Sequence, residues 1–407
     1  MIALLRNGGF VTSERTRFYP CLLLAGFAVA LAWLAVTARG LNDYAGRPLG
    51  SDFSGFYAAG RLLLAGHSPY DQAGLRAMEQ SLFGVATPFY SFAYPPVFLL
   101  IMEPLARLPY LPALALWQGL SLLLYLAAML RLRTVWGNDL PGGAPFIAVA
   151  LAFSAVFVNL IHGQNGFLIA ALFALALSWL WEKSALAGIC FGLVLFKPQL
   201  GLLIPFALAA GRHGRAFAAA AVTVMVLAAI TVLSFGWRRW LEFFAAAQFS
   251  RAAILDEGAV GYEKMIGIFA ALRLWHLPLS LAYAGQIFVS LAVVAAIDFL
   301  WRGNADVRRK GAALCLGTLL ATPFAFGYDL MLLAPAILLL AALGKQRGLL
   351  PYEASLIALV WLMPAAEASL AEIALPLATL GAGAVFVFSL RAALIPDSAN
   401  SGDTILD

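Results

Sequence analysis

Hydrophobic residues along the chain form long continuous runs that are separated by short polar segments. Examples of these runs are Cys21–Ala38, Phe146–Ile161, Phe217–Phe235, Leu279–Leu300 and Ala371–Leu390. Each is close to the length of about 20 residues that crosses a bilayer as a helix. Only helices and closed barrels satisfy the backbone inside lipid, and continuous rather than alternating runs exclude an outer-membrane barrel. The pattern therefore predicts an all-α polytopic membrane protein with about 10–12 transmembrane helices.

The composition leaves no room for a large soluble domain. Of the 407 residues, 63% are hydrophobic and 12% are charged, whereas soluble domains carry about 25% charged residues. The mean hydropathy is +0.88, so too few polar residues are present to cover a soluble core. We expect residues 1–395 to form one integral membrane domain and 396–407 to form a short C-terminal tail. Three isolated cysteines, Cys21, Cys190 and Cys315, predict no disulfide framework.

The net charge of +5 arises from short basic clusters between the apolar runs. Clusters of this kind are topology signals, because basic residues in short loops favour the cytoplasmic side. Arg212–Arg215, Arg302–Lys310 and Lys345–Arg347 are therefore predicted to be cytoplasmic. Since the positive charge has this explanation, we expect no nucleic-acid partner.

Two longer polar segments are predicted to lie outside the membrane. The N-terminal tail is basic, so the first span should run outward and place residues 39–93 in a first external loop. One span leads from the first basic cluster to residues 236–264 and a second span leads back, which predicts a second external loop there. The same alternation places Phe324–Asp329 near the external face. Apolar residues in the first loop recur with helical spacing and predict an amphipathic helix at the membrane interface: Phe53, Phe56, Tyr57, Gly60, Leu63 and Leu64.

The segment Tyr94–Tyr110 is short, rich in proline and compatible with two topologies. If it re-enters the membrane without crossing, Gln164 and Lys197 both face outside. If it crosses, Arg131 and Arg133 lie outside instead. The positive-inside rule favours re-entry, because it keeps the two arginines in the cytoplasm.

Asp52 is the first candidate for chemistry, because it opens the predicted external helix beside the first span. A carboxylate at the membrane surface can act as a general base that removes a proton from an attacking hydroxyl. The alternative is a structural role as the N-cap of the helix, which Ser51 or Asp52 could supply equally well.

Lys197 and Gln164 each have a functional and a structural interpretation. Lys197 lies in LFKPQ, where Pro198 divides an apolar run, and a lysine in a broken helix can bind a phosphate. It could also be a lysine that snorkels from a helix end to the interface. Gln164, in HGQNG, could contact a sugar, but its glycine and asparagine neighbours are typical of a turn. His162 is interpreted as part of that turn.

Polar residues elsewhere on the predicted external face are also candidates. In the second loop the cations, including Lys264, are offset by nearby carboxylates, so they either form a solvated amphipathic surface or bind an anionic head group. Tyr328 and Asp329 form an aromatic–carboxylate pair at the external end of a span. That pair is either an interface anchor with a helix cap, or a contact to a sugar.

Five motifs occur along the chain in an order that resembles glycosyltransferase family 87, a bacterial group with the GT-C fold. They are SDFSGFYAAGRLLLAGHSPYD (Ser51–Asp71), YPPVFLLIMEPLARLP (Tyr94–Pro109), GQNGFLIAALFALAL (Gly163–Leu177), AGICFGLVLFKPQLGLL (Ala187–Leu203) and TPFAFGYDLMLLAPA (Thr322–Ala336). The resemblance implies a GT-C-like bundle and a catalytic carboxylate in the first external loop, where Asp52 stands. It strengthens the phosphate-binding interpretation of Lys197. We take Tyr57, Arg61 and Gln199, which lie in the same motifs, as further candidate substrate-binding residues.

The resemblance also implies the class of reaction. The donor would be a sugar, mannose or similar, on a polyprenyl phosphate, and the acceptor a lipid or glycan, with membrane lipids around both. The two would meet at the external face of a bacterial inner membrane. Many GT-C enzymes carry a second acidic residue beside the first, but Phe53 follows Asp52 here. We therefore expect no metal and no cofactor.

Two other classes of membrane protein are compatible with the residues. A multi-pass transporter or flippase also uses broken helices and charges within the membrane. It commonly shows an inverted repeat, which is not visible in this chain. A structural or assembly protein would explain Asp52 only as a helix cap. Release of polyprenyl phosphate from the donor would distinguish the enzyme from both.

Overall fold

The computed structural model describes residues 1–393, so the predicted tail and the last two residues of the predicted domain lie outside the described residues. The chain folds into α-helices joined by short turns. They are α1 Ile2–Asn7, α2 Ser13–Thr37, α3 Ser51–Leu64, α4 Gln72–Phe83, α5 Pro96–Leu105, α6 Tyr110–Trp136, α7 Gly143–Leu151, α8 Ser154–His162, α9 Gly166–Trp179, α10 Ser184–Leu193, α11 Ile204–Ala210, α12 Gly214–Phe235, α13 Arg238–Arg251, α14 Ile268–Leu274, α15 Leu279–Arg302, α16 Val307–Leu320, α17 Leu333–Arg347, α18 Glu353–Leu362, α19 Glu367–Glu372 and α20 Leu377–Ala393. Two strands of two residues, β1 Met265–Ile266 and β2 Ala325–Phe326, pair antiparallel. The all-α prediction is confirmed.

Several helices are long and apolar enough to cross a membrane. Within residues 1–393 these are α2, α6, α12, α15 and the segment Gly327–Arg347, which contains α17. The pair α7 and α8 forms a sixth candidate span, bent by 57° between the two helices. Six further apolar helices have 10–17 residues. The chain is therefore a multi-pass membrane protein, and a total of 10–12 crossings stays a prediction.

The basic clusters meet on one side of the helix bundle, here called the basic face. The Lys310 ammonium donates to the Gly303 carbonyl at 2.8 Å, and Gly211 packs against the Trp301 ring. The Arg308 guanidinium donates to the Gln346 carbonyl oxygen at 2.5 Å, which joins the second cluster to the third. The three clusters share one side, as the charge pattern predicted.

The N-terminal helix lies on the basic face as well. The Tyr352 amide donates to the Arg6 carbonyl at 2.7 Å, just beyond the third basic cluster. The long helix α2 therefore starts at the basic face and ends at the opposite one.

The two predicted external loops contact each other at the opposite face, here called the Asp52 face. The Ser68 hydroxyl, after α3, donates to the Glu242 carboxylate on α13 at 2.7 Å. Arg239, also on α13, donates to the His67 carbonyl at 3.4 Å and to Glu242 at 2.7 Å. Since α2 and α12 each lead from the basic face to this one, the loops lie together on the side opposite the basic clusters.

The segment Tyr94–Tyr110 enters and leaves the bundle on the Asp52 face. The Tyr94 hydroxyl donates to Gln164 at 3.4 Å, and the Tyr110 hydroxyl donates to the Leu49 carbonyl at 2.6 Å, so both ends lie near Asp52. Helix α6 then runs to the basic face, where the Trp136 and Trp181 rings meet edge to face at 5.5 Å. The geometry agrees with re-entry, the topology that the charge pattern favoured.

A second hairpin, α10 with α11, approaches from the basic face and returns to it. The Trp301 ring stacks with Trp181 before the hairpin, at 6.4 Å, and packs against Gly211 after it. Pro198 breaks the helical path because its nitrogen carries no hydrogen to donate. Thirteen residues of mostly helical chain lead from Ser184 to Lys197, so the hairpin reaches about 20 Å from the basic face. Lys197 is therefore carried to its tip.

Helix α3 matches the predicted amphipathic helix in position but is more deeply covered than a helix lying at an interface. Ten of its fourteen residues are buried. Gly55 and Gly60 permit this packing, since an added Cβ would lie 2.4 Å from the Tyr90 carbonyl oxygen and 2.7 Å from that of Met102. Helix α5 and the chain that precedes it therefore cover α3. This packing fixes the start of α3, where Asp52 lies.

Single cysteines introduced into a cysteine-free background should report the two faces separately. We expect cysteines in each of the three basic clusters to resist an impermeant thiol reagent added outside intact cells. A cysteine at Ser68, on the Asp52 face, should react with it. Labelling of any basic cluster from outside would overturn the predicted orientation.

Candidate active site

Asp52 lies in the first turn of α3 and does not cap it. The N-cap residue is Gly50, in the left-handed conformation at φ 68° and ψ 57°, and no side-chain cap hydrogen bond is made there. The interpretation of Ser51 or Asp52 as the N-cap is therefore wrong. The reason is that the turn before α3 needs a left-handed residue, which glycine adopts readily. The Asp52 side chain keeps 24% of its surface exposed, and its charge is favourable at a helix N-terminus.

Gln164 orients the Asp52 carboxylate. Its amide nitrogen donates to Asp52 Oδ2 at 2.8 Å, although 112 positions separate the two residues. The Gln164 side-chain oxygen accepts in turn from the Asn165 backbone amide at 3.1 Å and from the Tyr94 hydroxyl at 3.4 Å. Only 3% of the Gln164 surface is exposed, so the surrounding contacts hold its side chain in one orientation.

The turn that carries Gln164 is itself braced from both sides. Gly163 ends α8 in the left-handed conformation at φ 66°. The Asn159 side chain accepts from the Gly166 backbone amide at 2.7 Å and donates to the Gln164 backbone carbonyl at 3.0 Å. HGQNG is thus a turn, as predicted, and its glutamine also contacts the candidate catalytic group.

Ser51 and His162 lie on the other side of the carboxylate. The Ser51 hydroxyl is 2.9 Å from His162 Nδ1 and 3.3 Å from Asp52 Oδ1. His162 Nδ1 is 3.9 Å from Asp52 Oδ1, and 41% of the histidine side chain is exposed. Sequence reasoning placed His162 only in a turn. It missed this contact because the contact depends on where the end of α8 meets the start of α3.

Lys197 is paired with Asp329 inside the bundle. The ammonium lies 2.6 Å from Asp329 Oδ1 and 3.3 Å from the Asn165 side-chain oxygen, and it lies over the Tyr328 ring at 4.7 Å. The side chains of Lys197 and Asp329 are 2% and 0% exposed. The snorkelling interpretation is therefore wrong, because the ammonium does not reach the interface. A contact between Lys197 and a phosphate stays a prediction, and it requires the phosphate to compete with Asp329.

Asp329 also completes a turn, as the cap interpretation predicted. Its second oxygen accepts from the Phe326 amide at 3.1 Å. Tyr328 stacks on Phe326 at 5.6 Å, and its ring lies 6.4 Å from the His162 ring. The buried ion pair and the Asp52 network therefore lie side by side and share the turn at Gln164 and Asn165.

The remaining predicted binding residues lie around this centre at different depths. Tyr57 is buried, and its hydroxyl donates to the Leu108 carbonyl at 2.8 Å. Arg61 is exposed and lies about 13 Å along α3 from Asp52. Gln199 is half-buried beside the tip of the second hairpin, and Lys264 is exposed just before β1. Substrate contacts by these four residues stay predictions.

Sequence reasoning missed two further groups near α3, which are Glu79 on α4 and Tyr90 in the chain before α5. Both oxygens of Glu79 accept from the Tyr90 amide at 3.2 Å. Burial raises the pKa of Glu79 to about 8, and burial together with the Asp52 charge raises the pKa of Tyr90 to about 12. Tyr90 therefore keeps its hydroxyl proton at neutral pH. Its hydroxyl lies near enough to Asp52 for the carboxylate charge to contribute to this shift.

Comparison with known protein families identifies a match. The sequence profile described as glycosyltransferase family 87 matches residues 92–323, more than half of the chain. The matched range contains Gln164 and Lys197 and excludes Asp52 and Asp329. No curated protein and no solved structure shows significant similarity to the chain.

Proposed function

The chain belongs to glycosyltransferase family 87, and we propose that it transfers a sugar, mannose or similar, from a polyprenyl-phosphate donor to a lipid or glycan acceptor. The proposed reaction takes place at the external face of a bacterial inner membrane. The observation that carries this proposal is the Asp52 carboxylate, partly exposed at the face opposite the basic clusters and oriented by a buried glutamine.

The chemistry of such a donor needs few groups from the protein. The acceptor hydroxyl attacks the anomeric carbon, the bond from that carbon to the phosphate oxygen breaks, and the electron pair leaves with the phosphate. The hydroxyl proton passes to a base. General-base catalysis contributes typically about 10²–10⁴-fold to such a step. Asp52 can act as this base because Gln164 donates only to Oδ2, and Oδ1 has a single longer hydrogen bond, from the Ser51 hydroxyl at 3.3 Å.

The departing phosphate needs a cation that is not already neutralised. The charge of Lys197 is compensated by Asp329. Lys264 is exposed. Met265 pairs with Phe326 in the antiparallel ladder. Lys264 precedes Met265 and Gly327 follows Phe326, so these two residues lie beside each other at the end of the ladder. Gly327 precedes Tyr328, which faces His162. We assign the donor phosphate contact to Lys264, with Lys197 behind the Tyr328 ring.

The proposed function is tested with the purified protein in lipid nanodiscs. Polyprenyl-phosphate mannose labelled in the sugar is supplied together with a total membrane-lipid extract as acceptor. We expect release of polyprenyl phosphate and transfer of label to a new product. Vesicles that contain the protein and translocate the donor without releasing polyprenyl phosphate would favour the transporter or flippase instead.

Replacement of Lys264 by glutamine should weaken donor binding. Hydrogen bonds to charged groups are worth about 1.5–3 kcal/mol, so the KM for the donor should rise by about tenfold or more. The kcat should fall as well, because the charge that develops on the departing phosphate loses its partner. Lys345→Gln is the matched control, since Lys345 is an exposed lysine on the basic face. Equal donor KM values for the two variants would remove Lys264 from the phosphate site.

A further inference from the structure

We infer that Ser51 and His162 form an exit path for the proton that Asp52 takes from the acceptor. The inference rests on the proposed function and gives Ser51 and His162 a role in it. The structure places a hydroxyl between the catalytic carboxylate and an exposed imidazole, in contact with both.

A base must lose its proton before each new turnover, and while the acceptor occupies the exposed part of the Asp52 side chain the hydrogen-bonded neighbours of the carboxylate provide the route. The Oδ2 atom accepts from Gln164, whose amide nitrogen is a donor and cannot take a proton. The Oδ1 atom faces the Ser51 hydroxyl, and that hydroxyl is 2.9 Å from His162 Nδ1. The only hydrogen-bonded path from Oδ1 among the described residues therefore leads through Ser51 to His162.

The transfer balances without any added reactant. Protonated Asp52 gives its proton to the Ser51 oxygen while the Ser51 hydroxyl proton passes to His162 Nδ1. The imidazolium then releases a proton from Nε2, which has no hydrogen-bond partner among residues 1–393. Proton exchange with water returns the neutral ring to the tautomer in which Nδ1 can accept again. Asp52 is returned to its charged form, and one proton is released for each sugar transferred.

The surroundings of His162 are compatible with a change of charge. Asp52 on α3 lies 3.9 Å from Nδ1 and is opposite in charge to an imidazolium. Tyr328, in the turn before α17, presents its ring at 6.4 Å. The partly exposed side chain can pass the proton to solvent, unlike the buried Lys197 and Asp329.

The path also fits the division of the site into two sides. In a direct displacement the attacking and leaving oxygens lie on opposite sides of the anomeric carbon. His162 contacts Asp52 and is therefore assigned to the acceptor side, whereas Lys264 is assigned to the phosphate. Loss of His162 should therefore lower kcat and leave the KM for the donor unchanged.

Variants Ser51→Ala and His162→Ala test the path with the same transfer assay. We expect each to lower kcat by about tenfold or more, and the double variant to be no slower than the slower single variant, because both break one path. Added imidazole should restore turnover to His162→Ala and not to Ser51→Ala. His67→Ala, an exposed histidine on the same face, is the control that should keep normal turnover.

The outcomes separate this inference from the proposed function. A His162→Ala variant with normal kcat, or one with low kcat that imidazole does not restore, overturns the proton path alone, provided that Asp52→Asn is inactive. Full turnover by Asp52→Asn overturns the path together with the assignment of the base. Restoration by imidazole requires a correctly folded site, so it also excludes misfolding as the cause of the loss.

Discussion

Asp52→Asn lowers turnover by about 10²–10⁴-fold, the range expected for loss of a general base. The asparagine keeps the size of the side chain and can still accept the Gln164 hydrogen bond through its carbonyl oxygen. It cannot take the proton of the acceptor hydroxyl. The measurement is kcat for release of polyprenyl phosphate, with the apparent Tm in detergent determined for the same preparations.

Asp52→Ala is the comparison that separates catalysis from stability. Since Gly50 rather than Asp52 is the N-cap, the alanine variant should not suffer the loss of a cap. It loses the hydrogen bonds from Gln164 and Ser51 and a favourable charge at the helix N-terminus, which is worth about 0.3–1 kcal/mol. Both variants should therefore be folded and inactive. An Asp52→Asn variant that turns over normally would show that the base is another group.

Lys197→Met destabilises the fold, because it leaves the Asp329 carboxylate buried without its partner. Breaking a buried ion pair from one side costs about 3–5 kcal/mol. The double variant Lys197→Met with Asp329→Leu should recover most of this loss, since apolar side chains often replace a buried pair at little cost. The quantity to measure is the free energy of unfolding in detergent for the two single variants and the double variant.

An exposed ion pair in the same protein supplies the matched control. Arg302 and Asp298 pair at 2.8 Å on α15 with 69% and 41% of their side chains exposed. Arg302→Met should cost no more than about 1 kcal/mol. If Lys197→Met instead raises the donor KM and leaves stability unchanged, Lys197 acts on the phosphate directly and the ion pair is not a structural brace.

The buried pair links the two parts of the proposed site. Asn165 accepts from the Lys197 ammonium through its side chain, and the preceding Gln164 donates to Asp52. A loss of the pair can therefore disturb the orientation of Asp52 without any contact to it. For this reason turnover in the Lys197 variants should be compared only with variants of equal stability.

The orientation of the protein and the identity of the base are independent questions. The contacts place the basic clusters on one side and Asp52 on the other. The labelling experiment tests which side is external, and the transfer assay tests the chemistry. A reversed orientation would move the reaction to the cytoplasmic leaflet without changing the role of Asp52.

The sequence by itself determined the class of protein, the positions of several long apolar helices and the side that its basic clusters share. Two of the predicted runs, Phe146–Ile161 and Ala371–Leu390, are each divided between two helices in the structure. These properties are local, because run length decides whether a segment can cross lipid and charge decides where a short loop remains. The start of α3 and the turn at HGQNG were also predictable, since helical spacing and turn formers act over a few residues. The ordered motifs identified the family for the same reason.

Only the tertiary structure decided what the polar residues do. Asp52 meets Gln164 across 112 positions, and Lys197 meets Asp329 across 132. No local pattern specifies such contacts, because they depend on how the bundle packs and on two hairpins that enter from opposite faces. The lysine interpreted as a phosphate ligand or an interfacial anchor is buried against a carboxylate, and the histidine interpreted as part of a turn lies beside the base. A charged or polar side chain within a membrane protein must find a partner, and the sequence shows that need without showing which residue meets it.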